Sequence, residues 1–301
     1  MIVRERPGMF RLFLIWRGSI LPRVLPEMLV TTAIAVALTG LESWRPGLLP
    51  EMPSAPYALL GLAFSIFLGF RNSACYDRWW EARKQWGQLV VEQRSFARDS
   101  IVLGVDVRRR LLRRGLAFVH ALSAQLRGHD AAASARPWLD AAEADALVGS
   151  RNPADALLRR QGEELAAALR EGRIDAIVYR GLCDRLQSMS GVQAACERIR
   201  HTPLPFAYTL LLHRTAHLFC FLLPLGIVHA AGWATPVLTA VVAYTFFGLD
   251  ALGDQLEEPF GTLENDLPLD AIARVIEIDV REAMGERDLP PPLRPQNFLL
   301  T

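Results

Sequence analysis

Four acidic residues lie close together near the end of a long apolar stretch: Asp250, Asp254, Glu257 and Glu258. On a helix they fall on one face, where they could hold a cation or pair with arginines. Arg71 and Arg78 are available in the chain, and the ion-pair reading is the simpler one. A second acidic run, Glu264-Asn265-Asp266, follows directly. His213 and His217 stand four residues apart, the helical spacing of a metal pair. No third ligand lies near them in sequence, so hydrogen bonding to backbone is the competing use. Four cysteines (Cys75, Cys183, Cys196, Cys220) are too dispersed for a disulfide framework or a zinc ribbon. No phosphate-binding loop, dinucleotide fingerprint or nucleophile elbow is present. No enzyme activity, metal or cofactor is expected.

The elements that position these residues are membrane helices. The chain has 301 residues, 51% hydrophobic and 22% charged. Those shares coexist because charge and apolar residues occupy different stretches. Thirty-three Lys+Arg balance 32 Asp+Glu, which argues against nucleic acid as a partner. Thr215–Leu249 is 35 residues without Asp, Glu, Lys or Arg, and about 20 suffice to cross a bilayer. Gly232 and Pro236 interrupt it, so it reads as a helical hairpin turning near Ala231–Thr235. Its first helix begins near Pro205 and its second ends near Leu256. Met52–Phe70 is a further uncharged run of 19 residues, ended by Arg71. Val24–Leu41 is the last, with Glu27 near its start. A soluble protein with four buried core helices is the alternative.

The fold class is therefore an all-α membrane protein with four transmembrane helices and a large helical cytoplasmic region. Residues 1–90 hold the N-terminal segment and the first two spans, at about 24–41 and 52–70. Residues 91–200 form a cytoplasmic helical region, 201–260 the third and fourth spans, and 261–301 a C-terminal helix and proline-rich tail. Arg4, Arg6, Arg11, Arg17 and Arg23 precede the first span, and 71–200 is dense in arginine. The loop at 42–56 holds only Arg45. Positive charge favours the cytoplasmic side, so both termini belong there, and the chain is a multi-pass membrane protein. Trp79, Trp80 and Trp86 fit an interfacial belt or subunit packing. The alanine-rich 131–169 stretch, broken at Pro137, Asn152 and Pro153, is expected to form two or three short helices in a peripheral, mobile insertion. Ile177, Leu182, Leu186, Met189, Val192, Cys196 and Ile199 make one stripe of a helix over 173–200. A last helix should run from Pro268 through Met284, and the proline-rich Leu289–Pro295 could drape over a neighbour.

Three phrases together resemble the bestrophin family of ion channels. They are Ile15-Trp16-Arg17-Gly18-Ser19, then Phe64-Ser65-Ile66-Phe67-Leu68-Gly69-Phe70 with Arg78-Trp79-Trp80-Glu81, then Glu258-Pro259-Phe260-Gly261. Arg71–Asp77 and Arg83–Gly87 look more like the prokaryotic branch. The resemblance covers nearly the whole chain except 130–170. It implies a homopentamer around one axial pore, in contact with the lipid bilayer and conducting monovalent ions. By position it places Leu62, Ile66 and Phe70 in an apolar pore neck. Their i, i+4, i+8 spacing does put them on one helix face, which ordinary core or lipid contact would also produce. It places Ile177 in a second, cytoplasmic aperture; an amphipathic core position is the alternative. It makes Asp254, Glu257, Glu258, Glu264 and Asp266 an acidic cluster near a degenerate calcium clasp. Thr262 and Leu263 stand where animal members use carboxylates, too few oxygens for calcium. The prokaryotic likeness implies cation permeation; a chloride channel of the same fold, or a membrane-embedded enzyme or carrier using the carboxylates and His217, are the alternatives.

Overall fold

The computed structural model describes residues 1–4, 8–12 and 14–301. Arg6 of the N-terminal arginines lies outside the described residues, as does the side chain of Arg11. Among the described residues the protein is helical, and its only β-pairings are isolated bridges at the termini. It divides into two compact units. One comprises 5–79 and 203–258, the other 1–4, 80–202 and 259–301.

The first unit is the apolar one. It holds α1 (Met9–Leu12), α2 (Leu21–Trp44), the first part of α3 (Ser54–Asp99), α9 (Phe206–Ala231) and α10 (Thr235–Glu257). The predicted hairpin is present: α9 and α10 are joined by a single 3-10 turn, Gly232–Ala234. Gly232 takes φ +51°, a region that disfavours a Cβ, and so reverses the chain in minimal length. The span predicted at 24–41 lies inside α2, whose Pro22 occupies the first turn, where proline costs nothing. Glu27 does not interrupt it. The stretches 21–44, 54–102 and 206–257 are each long and apolar enough to cross a membrane.

The second span departs from the sequence reading. The uncharged run stops at Arg71, yet α3 continues unbroken to Asp99 over 46 residues. A charge ends a lipid-compatible stretch but not a helix, and Arg, Glu, Lys and Gln are good helix formers.

The core of this unit is built from Phe64, Leu68, Leu212, Ala216, Phe219, Leu223, Phe246 and Phe247. Phe246 packs 4.9 Å from Phe64 and edge-on at 5.3 Å to Phe219. Glycines set the closest approaches. A Cβ at Gly226 would meet the Tyr57 ring at 2.5 Å, and one at Gly61 would meet Phe219 at 2.9 Å. Gly226→Ala is therefore expected to destabilise the protein. An overpacking cost of about 1–3 kcal/mol outweighs the helix-propensity gain of about 1 kcal/mol. A lowered thermal unfolding midpoint in detergent checks this; an unchanged or raised midpoint contradicts it.

The second unit holds the remainder of α3 and six further helices. These are α4 (Val105–Leu126), α5 (Ala131–Ala135), α6 (Ala141–Asp145), α7 (Pro153–Arg170), α8 (Ala176–His201) and α11 (Leu269–Ala283). The 131–169 stretch is neither peripheral nor a set of short helices only. Its 18-residue α7 packs on α4 and α8, burying Ala154, Leu157, Leu158, Gln161, Leu165 and Ala168. Alanine-rich sequence looks weakly apolar, but small residues at helical spacing let helices approach closely. Arg114, half-way along this packing, pairs with both Glu143 and Glu164. Its burial opposes the charge, but these two carboxylates outweigh that and hold the guanidinium pKa above its ordinary value. Trp86 is fully buried here, which removes it from any interfacial belt, whereas Trp80 is exposed.

Leu289–Pro295 is largely exposed and takes no regular structure, after which the chain returns to the N-terminus. The Leu300 N–H donates to the Met1 carbonyl at 2.9 Å, and the Val3 N–H to the Phe298 carbonyl at 2.8 Å.

His120 of α4 stacks on Trp138 at 5.2 Å, and its Nε2 is buried without a partner. Burial pushes its pKa down, against the pull of Glu277. A depressed histidine pKa favours the folded state above the unfolded value of about 6.5, and that contribution is lost as pH falls through it. Unfolding midpoints should therefore fall from pH 7 to pH 5, and less steeply in His120→Phe. Identical slopes for the two proteins would contradict this assignment.

Candidate functional site

Over residues 54–79 of α3 the buried positions are Phe64, Leu68, Arg71 and Cys75, at three- and four-residue spacing. This face packs on α9 and α10. Leu62, Ile66 and Phe70 fall outside it and are 61%, 50% and 64% exposed. They form one apolar row along the helix. The exposed part of α3 is wider than that row, for Leu59, Leu60 and Phe67 are exposed too. A single subunit thus leaves most of the circumference of an apolar helix uncovered.

The acidic face of α10 is organised by Arg71, whose side chain is 0% exposed. Its Nη1 donates to Asp250 Oδ1 at 2.8 Å and to the Asp250 carbonyl at 3.2 Å. Its Nη2 donates to Asp254, and Glu257 Oε2 stands 3.7 Å away. Asp250 Oδ2 is 2.6 Å from His213 Nδ1 on α9. Glu257 is engaged twice more: its carboxylate accepts from the Leu204 N–H at 3.0 Å and its carbonyl from Arg78 Nε at 2.6 Å. Tyr208 of α9 donates its hydroxyl to the Phe67 carbonyl at 3.2 Å. The carboxylates at this end are thus ion-paired, and Glu258, just past α10, is exposed.

His213 and His217 have rings 4.5 Å apart, but the Nδ1 of His217 donates to the His213 carbonyl at 2.9 Å. No group of three or more His, Cys, Asp and Glu arranged to hold a metal occurs among the described residues. The link from His213 to Asp250 was not read from the sequence. Its signal is the hairpin register: the two residues lie at similar distances on either side of the turn at 232–234.

Glu264 and Asp266 sit in the other unit. Asp266 is buried, and its Oδ2 accepts from the Leu263 N–H at 2.6 Å, bracing its own loop. Glu264 contributes its backbone carbonyl, which accepts from the Ile2 N–H at 2.8 Å. Ile177 lies in the first turn of α8, which Asp175 caps by accepting from the Ile177 and Val178 N–H groups. Six residues of the α8 stripe are buried, but Ile177 is 85% exposed. It is not a core residue of the single chain.

Apolar helices of membrane-crossing length, packed with their ionisable groups paired at one end, define a polytopic all-α membrane protein. Residues 1–282 match the family described as Bacterial/Fungal Bestrophin protein, and the match runs through 130–170. The chain is 50% identical over 297 residues to the voltage-dependent anion channel-forming protein of Mesorhizobium japonicum, covering 98% of this chain and 95% of that one. It is 40% identical over 304 residues to the voltage-dependent anion channel-forming protein YneE of Escherichia coli, covering 100% of both. A crystal structure of a bacterial bestrophin homologue from Klebsiella pneumoniae superposes with a TM-score of 0.84 at 35% identity. That alignment covers 88% of this chain and 99% of that one. The chain belongs to the bestrophin family of ion channels.

Proposed function

We propose that the protein is a homopentameric channel of a bacterial inner membrane, with both termini in the cytoplasm. It passes small monovalent ions along an axis lined by α3. The observation that carries this reading is the apolar, exposed row Leu62, Ile66 and Phe70 on a helix whose opposite face is fully packed. Copies of this row meeting around an axis form a narrow neck without ligands to replace an ion's hydration shell. Such a neck passes ions only when wide enough to stay wet. The exposed Ile177 forms a second, cytoplasmic ring. Exposed apolar residues on α2 and α10, including Leu29, Val36, Val237 and Val241, face lipid.

Cations are the proposed permeant ions, as the prokaryotic likeness implies. No Arg, Lys or His lies between residues 54 and 70 to hold an anion, and of the three neck residues only Phe70 is aromatic and supplies positive ring edges. The anion reading is favoured by the names of the relatives. Purified protein in planar bilayers under asymmetric sodium chloride decides both points. A reversal potential near that of sodium supports the proposal. One near that of chloride replaces cations by anions, and no conduction at all rejects the channel.

Calcium is not expected to activate it. The clasp-like run Thr262-Leu263-Glu264-Asn265-Asp266 offers few side-chain oxygens, and calcium needs six to eight. Open probability should stay flat from nanomolar to millimolar calcium; a saturable rise would contradict this.

A further inference from the structure

We propose that Arg71 is a positioning residue for the neck, clamping α3 to α10 so that Phe70 faces the axis. The proposal rests on the neck reading above. Residues 70 and 71 are adjacent, so the rotation of α3 that buries one turns the other away. Arg71 engages Asp250 through Nη1 and Asp254 through Nη2, two residues one helical turn apart on α10. A planar guanidinium held at both ends fixes rotation and axial register together, which a single ammonium cannot do. The clamp is close-fitting. A Cβ at Gly253 would meet Asn72 Oδ1 at 2.6 Å and Arg71 Nη1 at 3.0 Å. It is also braced from behind, because the second oxygen of Asp250 is held by His213 on α9. The three helices are thereby locked at the level of one neck ring. Ion pairs in a buried position give little net stability but can specify one arrangement, and that specification is the role assigned here.

The test is a double-mutant cycle on single-channel conductance in planar bilayers, with pentamer content checked by size-exclusion chromatography. The proteins are the parent, Phe70→Ala, Arg71→Lys, Gly253→Ala and the double variants with Phe70→Ala. Arg71→Lys and Gly253→Ala should each shift conductance by about threefold in the parent, and much less when Phe70 is already alanine. Gly253→Ala retains every charge, so it perturbs the clamp even if Arg71→Lys does not assemble. If Phe70→Ala leaves conductance unchanged, the neck reading fails and the proposal with it. If Phe70→Ala changes conductance but the clamp variants do not, or act additively with it, the positioning role alone is overturned.

Discussion

Replacing Leu62, Ile66 and Phe70 together by alanine is expected to raise single-channel conductance severalfold. Each substitution removes several carbon atoms from an exposed row of α3 and is repeated in every subunit of the assembly. The proposed neck would resist ions chiefly through its width, since a tight apolar ring empties of water and an ion cannot shed its shell there. Widening it keeps water in place, and a barrier lower by about 1 kcal/mol raises passage roughly fivefold. Ion selectivity should fall at the same time, because a wider wet ring discriminates less by size. Folding should change little, because these side chains are exposed in the single subunit and leave no cavity in its core. Planar-bilayer recording of the triple variant gives the measurement. Unchanged current in a correctly assembled protein would remove these residues from the conduction path.

The second large effect concerns stability. Trp86→Ala should destabilise the second unit by about 3–5 kcal/mol, the range for deleting a buried large aromatic side chain. Trp86 is completely buried on α3, and its indole Nε1 has no hydrogen-bond partner. Its contribution is therefore packing alone. Trp86→Phe should recover most of the loss. Chemical denaturation in detergent, followed by circular dichroism, checks both variants. A loss below about 1 kcal/mol for Trp86→Ala would place the residue at a surface rather than in a core.

The contrast among the three tryptophans marks how far the sequence could be read. Trp79, Trp80 and Trp86 follow the same apolar run, and all three suit a membrane boundary by type. Trp80 and Trp86 lie in the same unit but on different faces of α3, and of the two only Trp86 stands on a packed face. Composition does not carry that information. The same holds for Arg71. Its charge marks the end of a lipid-compatible run, but its complete burial depends on two residues 179 and 183 positions away on α10.

The residues of this chain determine, by themselves, its membrane character, its helical hairpin at Gly232 and the face of α3 on which Leu62, Ile66 and Phe70 stand. These follow from local chemistry: uncharged length, a positive-φ glycine and the 3.6-residue period. Tertiary structure alone decided that 153–170 is core, that Ile177 stands apart from its buried stripe, and that Asp250 holds His213 as well as the arginine its type and position already suggested. Those outcomes depend on which distant surfaces meet, and side-chain type constrains such long-range pairings only weakly.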